Sequence, residues 1–246
     1  MRPLEGKRYW LVGASEGLGR ALAELMSRAG VELVLSARSE YRLQELAASL
    51  PGPAEVLPMD VADTASVRAA AARAGTLDGL VFVAGVYWPQ AAQDWDAGQV
   101  EAMLDVNLTG AARVLGAVVP GMVARDAGHI VLTGSLAGFR GLPGAIGYGA
   151  SKAGLMSLAE SMALDLHGTG VEVQLVNPGF IRTRLTDKND FTMRAIMEPY
   201  VAARAILDHM RTRRFRLSFP FAFSLIFRLS RIVPDRLWFR LLARGS

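Results

Sequence analysis

Tyr148 and Lys152 stand four residues apart at the start of an apolar, alanine-rich stretch, and Ser135 precedes the tyrosine by thirteen residues. Residues four apart on a helix share a face. A phenol and an ammonium on one face, with a hydroxyl delivered from the end of a preceding strand, can move a proton to or from a substrate oxygen. Tyrosine alone titrates near ~10 and is a poor acid–base at neutral pH. A nearby lysine charge favours the phenolate and draws that value toward the working range. The serine hydroxyl could then polarise a carbonyl. A surface pair would show the same spacing, so the reading depends on what positions these side chains.

The elements around them form a regular series. Residues 8–12, 31–36, 55–58, 79–83, 129–133 and 171–176 read as buried strands. Residues 18–29, 41–50, 65–74, 100–123 and 150–166 between them read as helices. Strict alternation with continuously apolar strands predicts an α/β fold, a parallel sheet covered by helices on both faces. The short turns at 51–53 and 141–144 do not interrupt it, so residues 1–203 read as one domain. Residues 178–199 lack periodicity and read as a long loop of the kind that serves as a lid, and 199–211 return to helix.

Composition narrows the chemistry. Of 246 residues 51% are hydrophobic, enough for a sizeable core. The absence of cysteine removes disulfides, thiolate metal sites and a cysteine nucleophile, and suits a reducing compartment. The histidines at 129, 167 and 209 have no ligand spacing, so no metal centre is expected. The polar residues 1–8 run straight into a strand with no room for a signal peptide, and a cytoplasmic protein is expected.

The first strand runs into Gly13-Ala14-Ser15-Glu16-Gly17-Leu18-Gly19, and a helix follows. Glycines there allow a tight turn and close backbone approach to a phosphate, and the helix N-terminus adds amide donors and a favourable dipole. Between the first strand and first helix of a β-α-β unit, such a turn points to dinucleotide binding. The second strand ends in Ala37-Arg38 where a ribose-binding carboxylate would stand. A guanidinium there can pair with a 2′-phosphate, which favours NADP(H) over NAD(H), although Glu16 places a negative charge in the phosphate turn. Asp60-Val61 follows the third strand, where a side chain could meet the adenine or cap the next helix.

Together these pieces resemble the short-chain dehydrogenase/reductase family, over about residues 6–185 and in the family's order. The glycine turn, Asn107 in Asp105-Val106-Asn107-Leu108, Ser135 in Thr133-Gly134-Ser135, Tyr148-Gly149-Ala150-Ser151-Lys152, and Asn177-Pro178-Gly179 with Thr183 carry the resemblance. It implies a Rossmann-like doubly wound sheet and hydride transfer between nicotinamide and a carbonyl/alcohol pair. It implies Asn107, Ser135, Tyr148 and Lys152 as catalytic residues, with Asn107 holding a water that links Lys152 to solvent. It implies a cofactor held by Gly13, Ser15, Gly17, Leu18, Gly19, Arg38, Asp60, Val61, Ala84, Gly85, Tyr148, Lys152, Pro178, Gly179, Ile181 and Thr183. A homodimer or homotetramer follows from the resemblance and from the surplus apolar surface of the helix carrying Tyr148. Two departures stand out: Phe82-Val83-Ala84-Gly85 replaces Asn-Asn-Ala-Gly after the fourth strand, and Val12 replaces a threonine before the turn.

Tyr87, Trp88, Phe139, Pro143, Phe180, Met193 and Met197 follow strand ends, where open α/β sheets bind ligands, and suit an apolar carbonyl or alcohol substrate. The basic character sits elsewhere. Residues 204–246 carry 10 basic and 2 acidic groups against 17 and 21 in residues 1–203. Arginines, Arg244 the last, interleave with apolar residues over 211–246. This basic C-terminal extension reads as packed on the domain, on an interface or on the inner face of a membrane, and nothing in it resembles a nucleic-acid module. A non-catalytic dinucleotide sensor on the same fold is the rival from another class, but a sensor has no need of the acid–base group.

Overall fold

Strand residues here alternate between two layers of side chains, and that alternation sets the architecture. The computed structural model describes residues 1–186, 193 and 195–242. In chain order its strands are β1 (Arg8–Val12), β2 (Glu32–Ser36), β3 (Ala54–Val56), β4 (Gly79–Phe82), β5 (Gly128–Thr133), β6 (Val171–Pro178) and β7 (Arg216–Phe219). They form one parallel sheet in the order β3-β2-β1-β4-β5-β6-β7. The helices are α1 (Gly17–Arg28), α2 (Glu40–Ser49), α3 (Thr64–Ala74), α4 (Ala97–Leu104), α5 (Gly110–Ala124), α6 (Ile146–Asp165), α7 (Pro199–Met210), α8 (Phe221–Ser230) and α9 (Asp235–Leu242).

Tyr9 and Leu11 of β1 face one layer, with Leu22 and Met26 of α1, Leu43 of α2 and Ile206 of α7. Trp10 and Val12 face the other, with Val67 of α3, Val114 and Met122 of α5, and Leu155 of α6. Each such side chain fully buried contributes about 1.5–3 kcal/mol relative to exposure. The sheet is therefore the wall between two cores. The order reverses between β1 and β4, which opens a crevice at the strands' C-terminal ends.

Local chemistry fixes the boundaries. α1 ends at Gly30, whose φ of 79° lets Val31 N donate to Met26 O and Gly30 N to Ser27 O. Asp63 caps α3 through Ala65 N at 2.8 Å, and Asp96 caps α4 through Gln99 N at 3.1 Å. The single helix expected over 100–123 is a continuous helical run interrupted by a π turn, Asp105–Thr109, in which Gly110 N reaches back to Asp105 O. The main correction lies in the tail. Residues 216–219 are a seventh strand, and α8 and α9 follow it, so the extension expected from 204 onward supplies part of the sheet. The segment 187–192, residue 194 and residues 243–246 lie outside the described residues. The middle of the expected lid and Arg244 fall among them.

Candidate active site

Gly13 and Gly19 show why the first turn needs its glycines. Gly13 has φ 98°, and a Cβ on it would stand 2.5 Å from Ala84 N. A Cβ on Gly19 would stand 2.0 Å from Gly13 O, so α1 leaves β1 with backbone against backbone. Glu16 precedes α1 without a side-chain cap, which leaves the amides of the first turn available. These features form one end of a cleft of about 570 Å³. Every residue expected at the cofactor lines it: Gly13, Ser15, Gly17, Leu18 and Gly19 of the turn; Arg38, Asp60 and Val61 beyond the second and third strands; Ala84, Gly85, Tyr148 and Lys152; and Pro178 at the end of β6 with Gly179, Ile181 and Thr183 beyond it. The Gly13 cradle, the uncapped helix start and the position at the strand-order reversal fit a dinucleotide.

Two arginines missed in the sequence also line the cleft. Arg42 Nη1 lies 2.7 Å from Glu16 Oε2, and Arg184 Nη2 lies 2.6 Å from Glu16 Oε1. The carboxylate that counted against a phosphate is thereby flanked by two guanidiniums. Arg38 is exposed at the same mouth and forms no ion pair among the described residues. Arg42, four residues beyond Arg38, was findable from spacing; Arg184 depends on how the loop after β6 returns. Asp60 is partly committed, since its Oδ1 accepts from Ala62 N at 2.9 Å.

At the other end β5 delivers Ser135 and α6 delivers Tyr148 and Lys152. The Ser135 hydroxyl accepts from Ala137 N at 3.1 Å and lies beside the Tyr148 phenol. Burial raises the phenol above its ordinary value, and the Ser135 hydroxyl opposes that rise. Lys152 is buried, donates to Thr133 O at 2.9 Å and stands 5.7 Å from the Tyr148 ring centre. Burial pulls its ammonium down to about 8. The expected lowering of the phenol by the lysine charge does not act here, and desolvation moves both groups toward their neutral forms.

Asn107 joins the segment after β4 to α6. Its Oδ1 accepts from Val86 N at 2.7 Å, and its Nδ2 donates to Val86 O at 3.0 Å and Ser151 Oγ at 3.0 Å. The side chain is fully buried and braces the segment after β4 against α6, while its Oδ1 keeps a second lone pair. The π turn skips one main-chain acceptor, and a carbonyl freed there is a further acceptor for the expected water. Main-chain bonds hold the segment after β4 without the missing asparagines. Val83 N and Ala84 N both donate to Val12 O, at 2.9 and 3.0 Å, and Phe82 fills the core.

The apolar residues divide. Tyr87 meets the Tyr148 ring edge-on at 5.0 Å, and Phe180 lies 6.1 Å from Phe223, which lies 5.1 Å from Phe227. Met197 N donates to Phe180 O at 2.9 Å and pins the far end of the loop after β6. Trp88 and Met193 are half-buried. Phe139 and Pro143 instead line a second cavity of about 690 Å³, walled by Ala150, Ala153 and Trp238. That cavity is larger but contains neither the phenol nor the buried ammonium, so the smaller cleft is the chemical one.

Comparison with known proteins agrees with this geometry. The family profile described as short chain dehydrogenase matches residues 7–193. An uncharacterized oxidoreductase of Myxococcus xanthus is 39% identical over 235 residues, covering 93% of each chain. A short chain dehydrogenase/reductase from Burkholderia phymatum in complex with NAD superposes with a TM-score of 0.86 at 26% identity, over 93% of this chain and 94% of that one. Serine dehydrogenase complexed with NADP+ superposes with a TM-score of 0.79 at 26% identity, over 86% and 94%. With the glycine turn, the Ser135–Tyr148 pair and the buried lysine gathered around one cleft, the chain belongs to the short-chain dehydrogenase/reductase family of oxidoreductases.

Proposed function

We propose that this protein is an NADP(H)-dependent oxidoreductase that moves a hydride between nicotinamide and the carbonyl/alcohol pair of an apolar small molecule. Tyr148 and the buried Lys152, lining one end of the glycine-turn cleft, carry this reading. The bound cofactor would supply or accept the hydride. Ser135 would donate to the substrate oxygen and hold it beside Tyr148. In reduction Tyr148 would give its proton to that oxygen as the carbonyl becomes an alcohol, and in oxidation it would take the proton back. Lys152, when charged, would favour the phenolate. Asn107 acts at one remove, fixing the Val86 segment against the helix that carries both groups.

Arg38, Arg42 and Arg184 at the cleft mouth support NADP(H), because two of them already bracket Glu16 and Arg38 has no ion pair among the described residues. A NAD preference is the second reading, favoured by Glu16 itself. Tyr87, Phe180 and Phe223 support an apolar substrate. Apolar side chains on the outer side of α6, among them Ala153 and the exposed Leu164, support a homodimer or homotetramer. A cysteine-free chain suits the cytoplasm.

The test is cofactor turnover across a panel of apolar ketones, aldehydes and alcohols. Tyr148→Phe should lower turnover by roughly 10²–10⁴-fold, the usual range for an acid–base group, with cofactor binding kept. Arg38→Ala should weaken NADPH binding far more than NADH binding. Turnover unchanged in the first variant removes Tyr148 from the chemistry, and equal losses in the second remove Arg38 from cofactor choice.

A further inference from the structure

α8 is apolar on both sides: Phe223 and Phe227 pack on the core, and a second apolar set faces outward. Ser224 and Ser230 are its buried positions, and each hydroxyl bonds its own helix backbone, at Phe221 O and Phe227 O, both 2.7 Å away. Outward stand Phe221 at 67%, Ile226 at 57% and Leu229 at 55% exposure, and Ile232 in the following turn at 79%. Helices of water-soluble domains direct their apolar stripe to the core. The arrangement is held rather than loose. Arg140, from the loop after β5, donates to Ser230 O and Val233 O and pairs with Asp235, and it lies 5.1 Å from the Trp238 ring. Trp238 Nε1 donates to Gly141 O at 3.1 Å.

The charges around this face have one sign. Arg228, Arg231, Arg236 and Arg240 are exposed and form no ion pair among the described residues. Asp235 is the one acidic residue between 221 and 242, and Arg140 already holds it. Two copies meeting across a twofold axis would set these arginines against their own counterparts with no carboxylate to offset them. An anionic lipid surface offers what the face lacks, phosphate groups for the guanidiniums and acyl chains for the apolar side chains. The apolar run is too short to span a bilayer, which takes about 20 residues.

From this we infer that α8 and the turn after it seat the protein on an anionic bilayer surface. The inner side of the same helix presents Phe223 against Phe180 and within 3.2 Å of a Cβ built on Gly179, so the seated face backs directly onto the cofactor cleft. A membrane-dissolved apolar compound would then have a short route to Tyr148; that last step rests on the proposed oxidoreductase reading, while the seating itself does not.

The test uses the full chain and vesicles of phosphatidylcholine with or without phosphatidylglycerol, read by co-sedimentation and light scattering. The intact protein should bind the anionic vesicles and release as salt is raised toward about 1 M, where the Debye length is ~3 Å. Each arginine near a charged surface is worth on the order of a fivefold change in binding, so Arg228→Gln with Arg231→Gln should weaken it roughly 25-fold. Ile226→Ser with Leu229→Ser should weaken it as well; both pairs are surface changes, and unchanged melting would show that the fold is kept. Failure to bind anionic vesicles at low salt, or equal binding to neutral ones, overturns the inference. So does a fall in particle mass with Ile226→Ser and Leu229→Ser without vesicle binding, which would make this face a subunit contact. None of these readouts involves turnover, so an error in the proposed reaction would not disturb them.

Discussion

Gly19→Ala tests the construction of the cofactor end most directly. The added Cβ would lie 2.0 Å from Gly13 O and 2.8 Å from Gly13 C, where ordinary contact begins at 3.4 Å. Both atoms are backbone, so no rotamer change can relieve the clash, and the α1 start or the Gly13 peptide must shift by more than an ångström. Overpacking of this kind costs about 1–3 kcal/mol. Replacing a helical glycine by alanine returns up to about 1 kcal/mol. A net loss of about 1–2 kcal/mol remains, which for a chain of this size lowers the melting temperature by about 2–8 °C. The effect on binding should be larger than the effect on stability, because the amides meant for the phosphates move with the turn. A misplacement of about 1 Å can cost a factor on the order of 10². Cofactor titration by fluorescence and thermal melting measure the two effects. Gly116→Ala is the control: it is an exposed helix position with nothing within 4 Å of the added carbon, and it should melt slightly higher. A Gly19→Ala protein with unchanged melting and unchanged cofactor affinity would refute the reasoning about the turn.

Two other outcomes are expected. His129 is buried against Arg2, Tyr9 and Gln174, and burial holds its imidazole down at about 3, below its ordinary 6.5. The unfolded chain therefore takes up a proton below about 6.5 that the folded chain refuses, and this group's contribution to stability, present above that pH, is lost as pH falls toward 3. Between pH 7 and 5 it should cost about 2 kcal/mol, and His129→Gln should flatten that part of the melting-against-pH curve; an unchanged slope would refute the assignment. Light scattering at micromolar concentration should give a mass of two or four chains, and a single-chain mass would remove the proposed contact through α6.

The parts of this protein legible in its sequence are those whose geometry is set within one element or one turn. Gly13, Gly17 and Gly19 are required by a single strand-to-helix junction, and Tyr148 and Lys152 by a single helix, so their spacing announced them. The alternation of continuously apolar strands with helical segments gave the parallel sheet covered on both faces for the same reason. Side chains whose partners are fixed by topology did not announce themselves. Glu16 looked like a charge in the wrong place until Arg42 from α2 and Arg184 from the loop after β6 came to it from 26 and 168 residues away in sequence. Asn107 read as a water holder, and its side-chain bonds to Val86 and Ser151, 21 and 44 residues away, did not show. β7 was hidden because an edge strand of four residues, three of them only partly buried, has too little periodicity to show through a run of arginines. The same short strand explains why the tail matters. By pairing with β6 beside Pro178 and Gly179 it fixes where α8 begins, and so it sets an apolar, arginine-rimmed surface directly behind the cleft. Charge and apolarity in the last forty residues were visible from the start, but only the register of β6 with β7 decides which side of the protein they occupy.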